Sequence, residues 1–229
     1  MYLGKLVQKA HSLTAIADFY VNSRSDTVGK TPEEIIEFSY RHYPTRPRQV
    51  RSELLALARL VRRYNPKTLV EIGTHAGGTF FVLCRCADPH ATVISIDLPG
   101  AQFSGGQPKF IDSLLPRMPL ETQSFHALRS DSHHPGSSAW LAKLLQGREV
   151  DVMLIDGDHT YDGVKKDFDM YSPFVRKGGI VAFHDVVKHT NDPDCEVDKF
   201  WEEVKTRYKH QELIEDPAQG WAGVGVLYV

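Results

Sequence analysis

Between Lys67 and Phe183, short β-branched runs alternate with longer amphipathic stretches, and this alternation constrains the fold more than any other feature. The runs are Thr68–Ile72, Ala91–Ile96, Ser124–Leu128, Val150–Ile155 and Gly179–Phe183. Nearly continuous apolar runs of this length suit strands covered on both faces. Helical segments are predicted between them, near residues 77–87, 107–117, 137–147 and 160–175. Strand and helix in strict alternation give a parallel, doubly wound α/β sheet with right-handed crossovers. After Asp198 comes one more amphipathic helix, carrying Phe200, Trp201, Val204 and Tyr208. Two last runs, Glu212–Ile214 and Val224–Val229, are close enough to pair as an antiparallel hairpin at a sheet edge.

Residues 1–66 read as a helical cap and residues 67–229 as the α/β domain. Thr31-Pro32-Glu33-Glu34 is a helix start, with Thr capping, Pro in the first turn and Glu reaching back. Ile35, Ile36, Tyr40 and Tyr43 then form an apolar stripe, and Thr45-Arg46-Pro47-Arg48 breaks the chain. Leu54, Leu57, Ala58 and Val61 mark a second helix, which Asn65-Pro66 ends. These N-terminal helices are candidates for a pocket cover or a homo-oligomer contact. Composition narrows the class of protein. Lys plus Arg is 27 and Asp plus Glu is 29, a formal net charge of −2, which argues against a general nucleic-acid binder. No apolar run is long enough for a membrane span and no secretory signal is legible. Three cysteines, Cys84, Cys86 and Cys195, then fit reduced thiols in the cytoplasm, with the first two as packing residues.

Between the first strand and the first crossover helix lies Glu71-Ile72-Gly73-Thr74-His75-Ala76-Gly77-Gly78. Glycines let the chain turn sharply there, and the helix that follows offers free N–H groups and a positive dipole end. The spacing is neither the dinucleotide G-x-G-x-x-G nor a P-loop. The second strand ends in Asp97, a carboxylate able to accept from both hydroxyls of a ribose. The fourth strand runs into Asp156-Gly157-Asp158-His159-Thr160-Tyr161, and the fifth into His184-Asp185. If those strands are adjacent, their acids and imidazoles converge on one edge, an arrangement that suits a divalent ion. His159 has an imidazole that can take a proton from a hydroxyl near pH 7, and His184 competes with it as base. Asp158 or Thr160 is also a helix cap in this reading, and Tyr161 a packing or pocket-lining residue.

These motifs together resemble the class I S-adenosylmethionine-dependent methyltransferases. Within that group the chain is similar to small-molecule O-methyltransferases and cephalosporin-hydroxylase-like proteins, which carry E-I-G-x-x-x-G-G and D-G-x-H-x-Y. The likeness runs from about Glu53 to the C-terminus and includes Gly178-Gly179. It implies a Rossmann-like methyltransferase fold, a mostly parallel seven-stranded sheet with a reversed last strand. It implies that Glu71, Gly73, Thr74, Gly77, Gly78, Asp97, Asp131 and Asp156 bind S-adenosylmethionine. Methionine would then lie on the Gly73 loop, ribose on Asp97, and adenine near Ser130-Asp131-Ser132. The likeness to catechol-type enzymes also implies a metal on Asp156, His184 and Asp185. His184 stands where an acid is expected, which leaves magnesium, manganese, zinc or no metal open. In those enzymes a lysine base occupies the position of His159.

The resulting expectation is methyl transfer to a hydroxyl of a small molecule. A nicotinamide-dependent oxidoreductase and a non-catalytic cofactor-binding regulatory protein are the competing readings. The loop Val186–Cys195, with His189, Asp192 and Asp194, reads as a solvated surface loop or a source of secondary ligands. Residues 98–106 read as a flap over the pocket, and Trp201 and Trp221 as core or interface anchors. Arg62-Arg63, His133-His134 and Lys165-Lys166 read as solvated faces, and none has the aromatic interleaving of an RNA platform.

Overall fold

A computed structural model describes residues 14, 16–19, 21–42, 46–100 and 111–229. Tyr43, Thr45 and residues 101–106 of the expected flap lie outside them. One sheet contains β1 (Thr68–Ile72), β2 (Thr92–Asp97), β3 (Ser124–Arg129), β4 (Val150–Ile155), β5 (Val175–His184), β6 (Lys209–Leu213) and β7 (Val224–Tyr228). Its order is β3-β2-β1-β4-β5-β7-β6. The strands β1 to β5 are mutually parallel, whereas β7 runs antiparallel to both β5 and β6. The doubly wound sheet and its reversed last strand are therefore as expected. Described helices are α1 (Pro32–Arg41), α2 (Arg51–Tyr64), α3 (Gly78–Cys86), α4 (Ile111–Leu114), α5 (Pro135–Leu145), α6 (Tyr161–Tyr171) and α7 (Val197–Val204). No helix of the described residues is long and apolar enough to cross a membrane.

Side-chain alternation along the strands sorts the core into two layers. Leu69, Val93, Val152, Leu154, Ile180 and Ala182 face α1, α2 and α3, while Val70, Ile72, Ile94, Met153 and Val181 face α5, α6 and α7. The runs of β1, β2 and β4 are mostly apolar because both faces are covered there. Fully burying one such aliphatic side chain contributes roughly 1.5–3 kcal/mol. The N-terminal helices belong to the first layer. α1 and α2 both pack on α3, and Ile35, Leu54 and Leu57 share one core with Phe80 and Phe81. The ring of Phe81 lies 5.1 Å from Phe19 and 5.7 Å from Phe38, centroid to centroid. Cys84 and Cys86 are buried in this layer, and burial pushes the Cys86 thiol up to about 11.

α1 opens with the reciprocal box, Thr31 accepting from the Glu34 amide and Glu34 from the Thr31 amide. Three expected bounds shift. β6 lies earlier than its apolar run, over exposed Lys209–Glu212, because an edge strand is held by backbone pairing to β7 rather than by burial. β5 extends back to Val175, through an irregular register opposite Val150 and Val152. Tyr208 falls beyond α7, yet its ring still meets Phe168 at 6.1 Å.

At one edge of the sheet, β1 ends at Ile72, β2 at Asp97, β4 at Ile155 and β5 at His184. The reversed β7 begins there, with Val224 opposite His184. This edge places the site.

Candidate active site

The loop after β1 is built by backbone contacts. Gly73 has φ of +83°, and a Cβ there would stand 1.9 Å from the Asp156 carbonyl oxygen. Glycine at this position therefore lets the ends of β1 and β4 touch, and Asp156 N donates to Ile72 O at 2.8 Å. Gly77, also left-handed, caps α3 without any side-chain hydrogen bond, so the N-terminus of that helix keeps its free amides. Asp97 holds the loop from the other side. Its Oδ2 accepts from Thr74 N at 3.1 Å and from His75 N at 2.5 Å. Thr74 Oγ1 meets Ser95 Oγ at 2.7 Å. Burial raises the Asp97 carboxyl from its usual range, opposed by the amides of His75, Leu98 and Thr74. Glu71 is 1% exposed and its Oε2 has no hydrogen-bond partner among the described residues. Burial pushes its carboxyl well above the usual range, with Asp156 and Asp97 adding to the effect.

Asp131 stands exposed after β3, its Oδ1 accepting from His133 N at 2.8 Å. The loop that carries it is joined to the end of β2, where Ser130 N donates to Asp97 O at 3.0 Å. Thus Glu71, Gly73, Thr74, Gly77, Gly78, Asp97, Asp131 and Asp156 are on loops or strand ends of a single edge.

Beside them the acid–histidine cluster assembles. His159 Nε2 lies 3.3 Å from Asp156 Oδ1, and its Nδ1 lies 3.3 Å from Asp185 Oδ2. His184 Nδ1 is 3.3 Å from both Asp156 Oδ1 and Asp185 Oδ1. Two carboxylates thus face two imidazoles. Burial opposes a charge on His159, but Asp156, the Cys195 sulfur and Asp185 together push it up to about 11. His184 is likewise pushed to about 10, against the cost of burial, by Asp156 and Asp185. The carboxylates move the other way: burial raises them, and the imidazolium charges outweigh it. The side chain of His159 is 41% exposed and that of His184 is 5% exposed, so His159 is the imidazole open to a substrate.

Two residues of the loop after β5 join this cluster, one of them the candidate secondary ligand His189. His189 Nε2 bonds Asp185 Oδ1 at 2.9 Å instead of facing solvent, while Asp192 and Asp194 are exposed. Cys195 is 7% exposed and turns to His159. Their only signal was membership of the polar loop after β5. Thr160 caps α6 by accepting from Gly163 N, and Asp158 Oδ1 accepts in turn from Thr160 N and Oγ1. Tyr161 packs, its ring 6.1 Å from Phe200 and its hydroxyl on Glu203.

Asp156, His184 and Asp185 each offer a ligand atom, all within 4.8 Å of one another. So do His159, Asp185 and Cys195. Two carboxylates and an imidazole fit a divalent ion, manganese or iron better than magnesium, which prefers oxygen throughout.

Comparison with known proteins bears on the family and the fold. A family model described as a methyltransferase domain matches residues 70–186, just over half of the chain. An uncharacterised protein of Acanthamoeba polyphaga mimivirus is 29% identical over 118 residues, 52% of this chain and 51% of that one. An uncharacterised protein of Sinorhizobium fredii is 25% identical over 130 residues, 55% of this chain and 14% of that one. The matched stretch is therefore about half of one relative and a small part of the other. Among solved structures, the O-methyltransferase of Bacillus cereus in complex with SAH superposes with a TM-score of 0.56 at 18% identity. That superposition covers 93% of this chain and 97% of the other. An O-methyltransferase of tomaymycin synthesis from Streptomyces achromogenes, in complex with SAM, gives 0.56 and 18%, with 93% and 95% covered. At such identities these likenesses establish the fold.

Proposed function

We propose, from the premise that this chain belongs to the methyltransferase-domain family, that it transfers a methyl group from S-adenosylmethionine to a hydroxyl oxygen of a small molecule. One observation carries the reading. The Gly73 loop and the acid–histidine cluster meet at a single sheet edge, with the Gly73 and Asp156 backbones in contact.

S-adenosylmethionine supplies an electrophilic methyl group bound to a sulfonium. The loop Gly73–Gly78 and the uncapped start of α3 would hold its amino-acid end, Asp97 its ribose and Asp131 its adenine. Asp156, beside Gly73, would offer its negative charge to the sulfonium. Once positive charge on Asp156 and Asp185 has drawn the ring to its neutral form, Nε2 of His159 would take the acceptor hydroxyl's proton, with Asp185 Oδ2 steadying the Nδ1–H of the same ring. His184, buried between both carboxylates, is the second imidazole of this relay. The Coulomb effect that raises His159 also works in reverse. Positive charge delivered to Asp156 and Asp185 weakens the ring's hold on its proton. A divalent ion would sit on Asp156, His184 and Asp185 and supply Lewis-acid polarisation of the hydroxyl. Much of the acceleration in such a transfer comes from placement of oxygen and methyl in line. Free, buried Cys84, Cys86 and Cys195 support a reducing, cytoplasmic setting.

Titration of the protein with S-adenosylmethionine and separately with NAD tests the reading. Heat of binding is expected with the first alone; binding of NAD alone rejects methyl transfer in favour of an oxidoreductase. Turnover on a panel of phenols, sugars and hydroxylated metabolites then separates an enzyme from a binding protein.

A further inference from the structure

The loop after β5 brings a thiol to the cluster that methyl transfer does not use. Its position is fixed by backbone, since Glu196 N donates to His159 O at 2.8 Å and Cys195 N to Asp192 O at 3.2 Å. Cys195 is thereby fastened next to the residue whose imidazole it meets. Asp185 divides its two oxygens: Oδ1 serves His184 and His189, and Oδ2 turns to His159. His159, Asp185 and Cys195 each offer one ligand atom, mutually within 4.8 Å. An imidazole nitrogen, a carboxylate oxygen and a thiolate sulfur suit zinc and its neighbours, whereas magnesium avoids sulfur and takes oxygen. Three protein ligands leave a fourth position for water or another donor, and the His159 side chain is 41% exposed.

We propose that His159, Asp185 and Cys195 form an inhibitory site for a zinc-class divalent ion, which shuts off methyl transfer by occupying the imidazole lone pair needed for the acceptor's proton. The inhibitory role rests on the reading of His159 as the base. The ion site itself rests only on the three side chains. A thiolate in the set also separates this position from the one formed by Asp156, His184 and Asp185, which has no sulfur and shares only the Asp185 carboxylate.

Cobalt(II) is the probe. Added to the full chain without cofactor or acceptor, it is expected to give a thiolate-to-cobalt charge-transfer band at one ion per chain, unaffected by excess magnesium. C195S is expected to lose the band, and H159Q, which keeps the thiol, to weaken cobalt binding about tenfold, or 1.4 kcal/mol. No band in the wild type, or a band that survives in C195S, overturns the site. With an acceptor in hand, zinc is expected to inhibit the wild type and to need about tenfold more to inhibit C195S, each relative to its own ion-free rate. Equal zinc sensitivity overturns the inhibitory role. If the band appears and depends on Cys195 but no S-adenosylmethionine binds, the ion site stands. The methyl-transfer reading then falls, and the inhibitory role falls with it.

Discussion

Asp97 shows how one side chain can serve two ends. Its type and place, an acid closing the second strand, were visible in the sequence and suggested a ribose contact. Its bonds to the Thr74 and His75 amides were not visible, because they depend on how the intervening loop folds back. Asp97→Ala removes the tie that shapes the loop and, with it, the proposed ribose contact. Affinity for S-adenosylmethionine is expected to fall by roughly 1–3 kcal/mol in calorimetric titration. Asp97→Asn keeps an acceptor oxygen and is expected to lose less; unchanged affinity in the alanine variant removes Asp97 from the site. Gly73 was legible as a turn, but its partner is the Asp156 backbone. Gly73→Ala meets both a left-handed φ and that backbone oxygen, so it is expected to destabilise the fold by more than about 3 kcal/mol in urea denaturation. A variant as stable as the wild type contradicts the close approach of the two strand ends. Cys195 was beyond reach, and His189 was legible only as one of two alternatives, a solvated residue or a secondary ligand, for the same reason as the Asp97 bonds: nothing in the residue string says where a polar loop folds.

Among elements, the signals that worked were those written locally. The Thr31–Glu34 box set the start of α1, and apolar runs set β1, β2 and β4. The edge strand β6 was misplaced because pairing, which holds it, leaves no hydrophobic trace. A link between elements was also hidden. His133, read as a solvated residue, reaches Asp167 on α6, Nε2 to Oδ1 3.3 Å, and the Asp167 residue is 0% exposed. Tyr171 of the same helix donates to Ser132 O at 2.7 Å, so α6 grips the Asp131 loop twice. The Asp167 carboxylate 3.3 Å from Nε2, opposed by burial, raises the His133 imidazole above its usual 6.5. A raised histidine stabilises the fold fully below the unfolded value, and that contribution is lost as pH climbs through the folded one. His133→Gln is therefore expected to lower Tm most at pH below about 6 and progressively less toward pH 9. A Tm difference that is flat or grows with pH is incompatible with the ion pair.

For the whole molecule, the alternation of runs gave away the sheet, but not how the ends of the chain close on it. Glu53, at the start of α2, is 2% exposed and accepts from Glu215 N at 3.0 Å, Gln219 Nε2 at 2.8 Å and Gly223 N at 2.9 Å. An N-terminal helix thereby grips the β6–β7 loop. That loop continues into Ala222, whose amide nitrogen lies 3.2 Å from His189 Nε2, the atom that meets Asp185. The helical segment also shares its apolar layer with α3 and the sheet. From these contacts the chain is expected to unfold as a single cooperative unit, with no separate melting of the N-terminal helices. Glu53→Ala leaves two buried or half-buried backbone amides without their acceptor, at about 1–3 kcal/mol each. It is expected to lower the urea midpoint without changing the slope m. Far-ultraviolet dichroism and tryptophan fluorescence should report one coincident transition in both proteins. A helical loss that precedes the fluorescence change would make residues 1–66 an independent cap, and would put the Glu53 contacts outside the cooperative core.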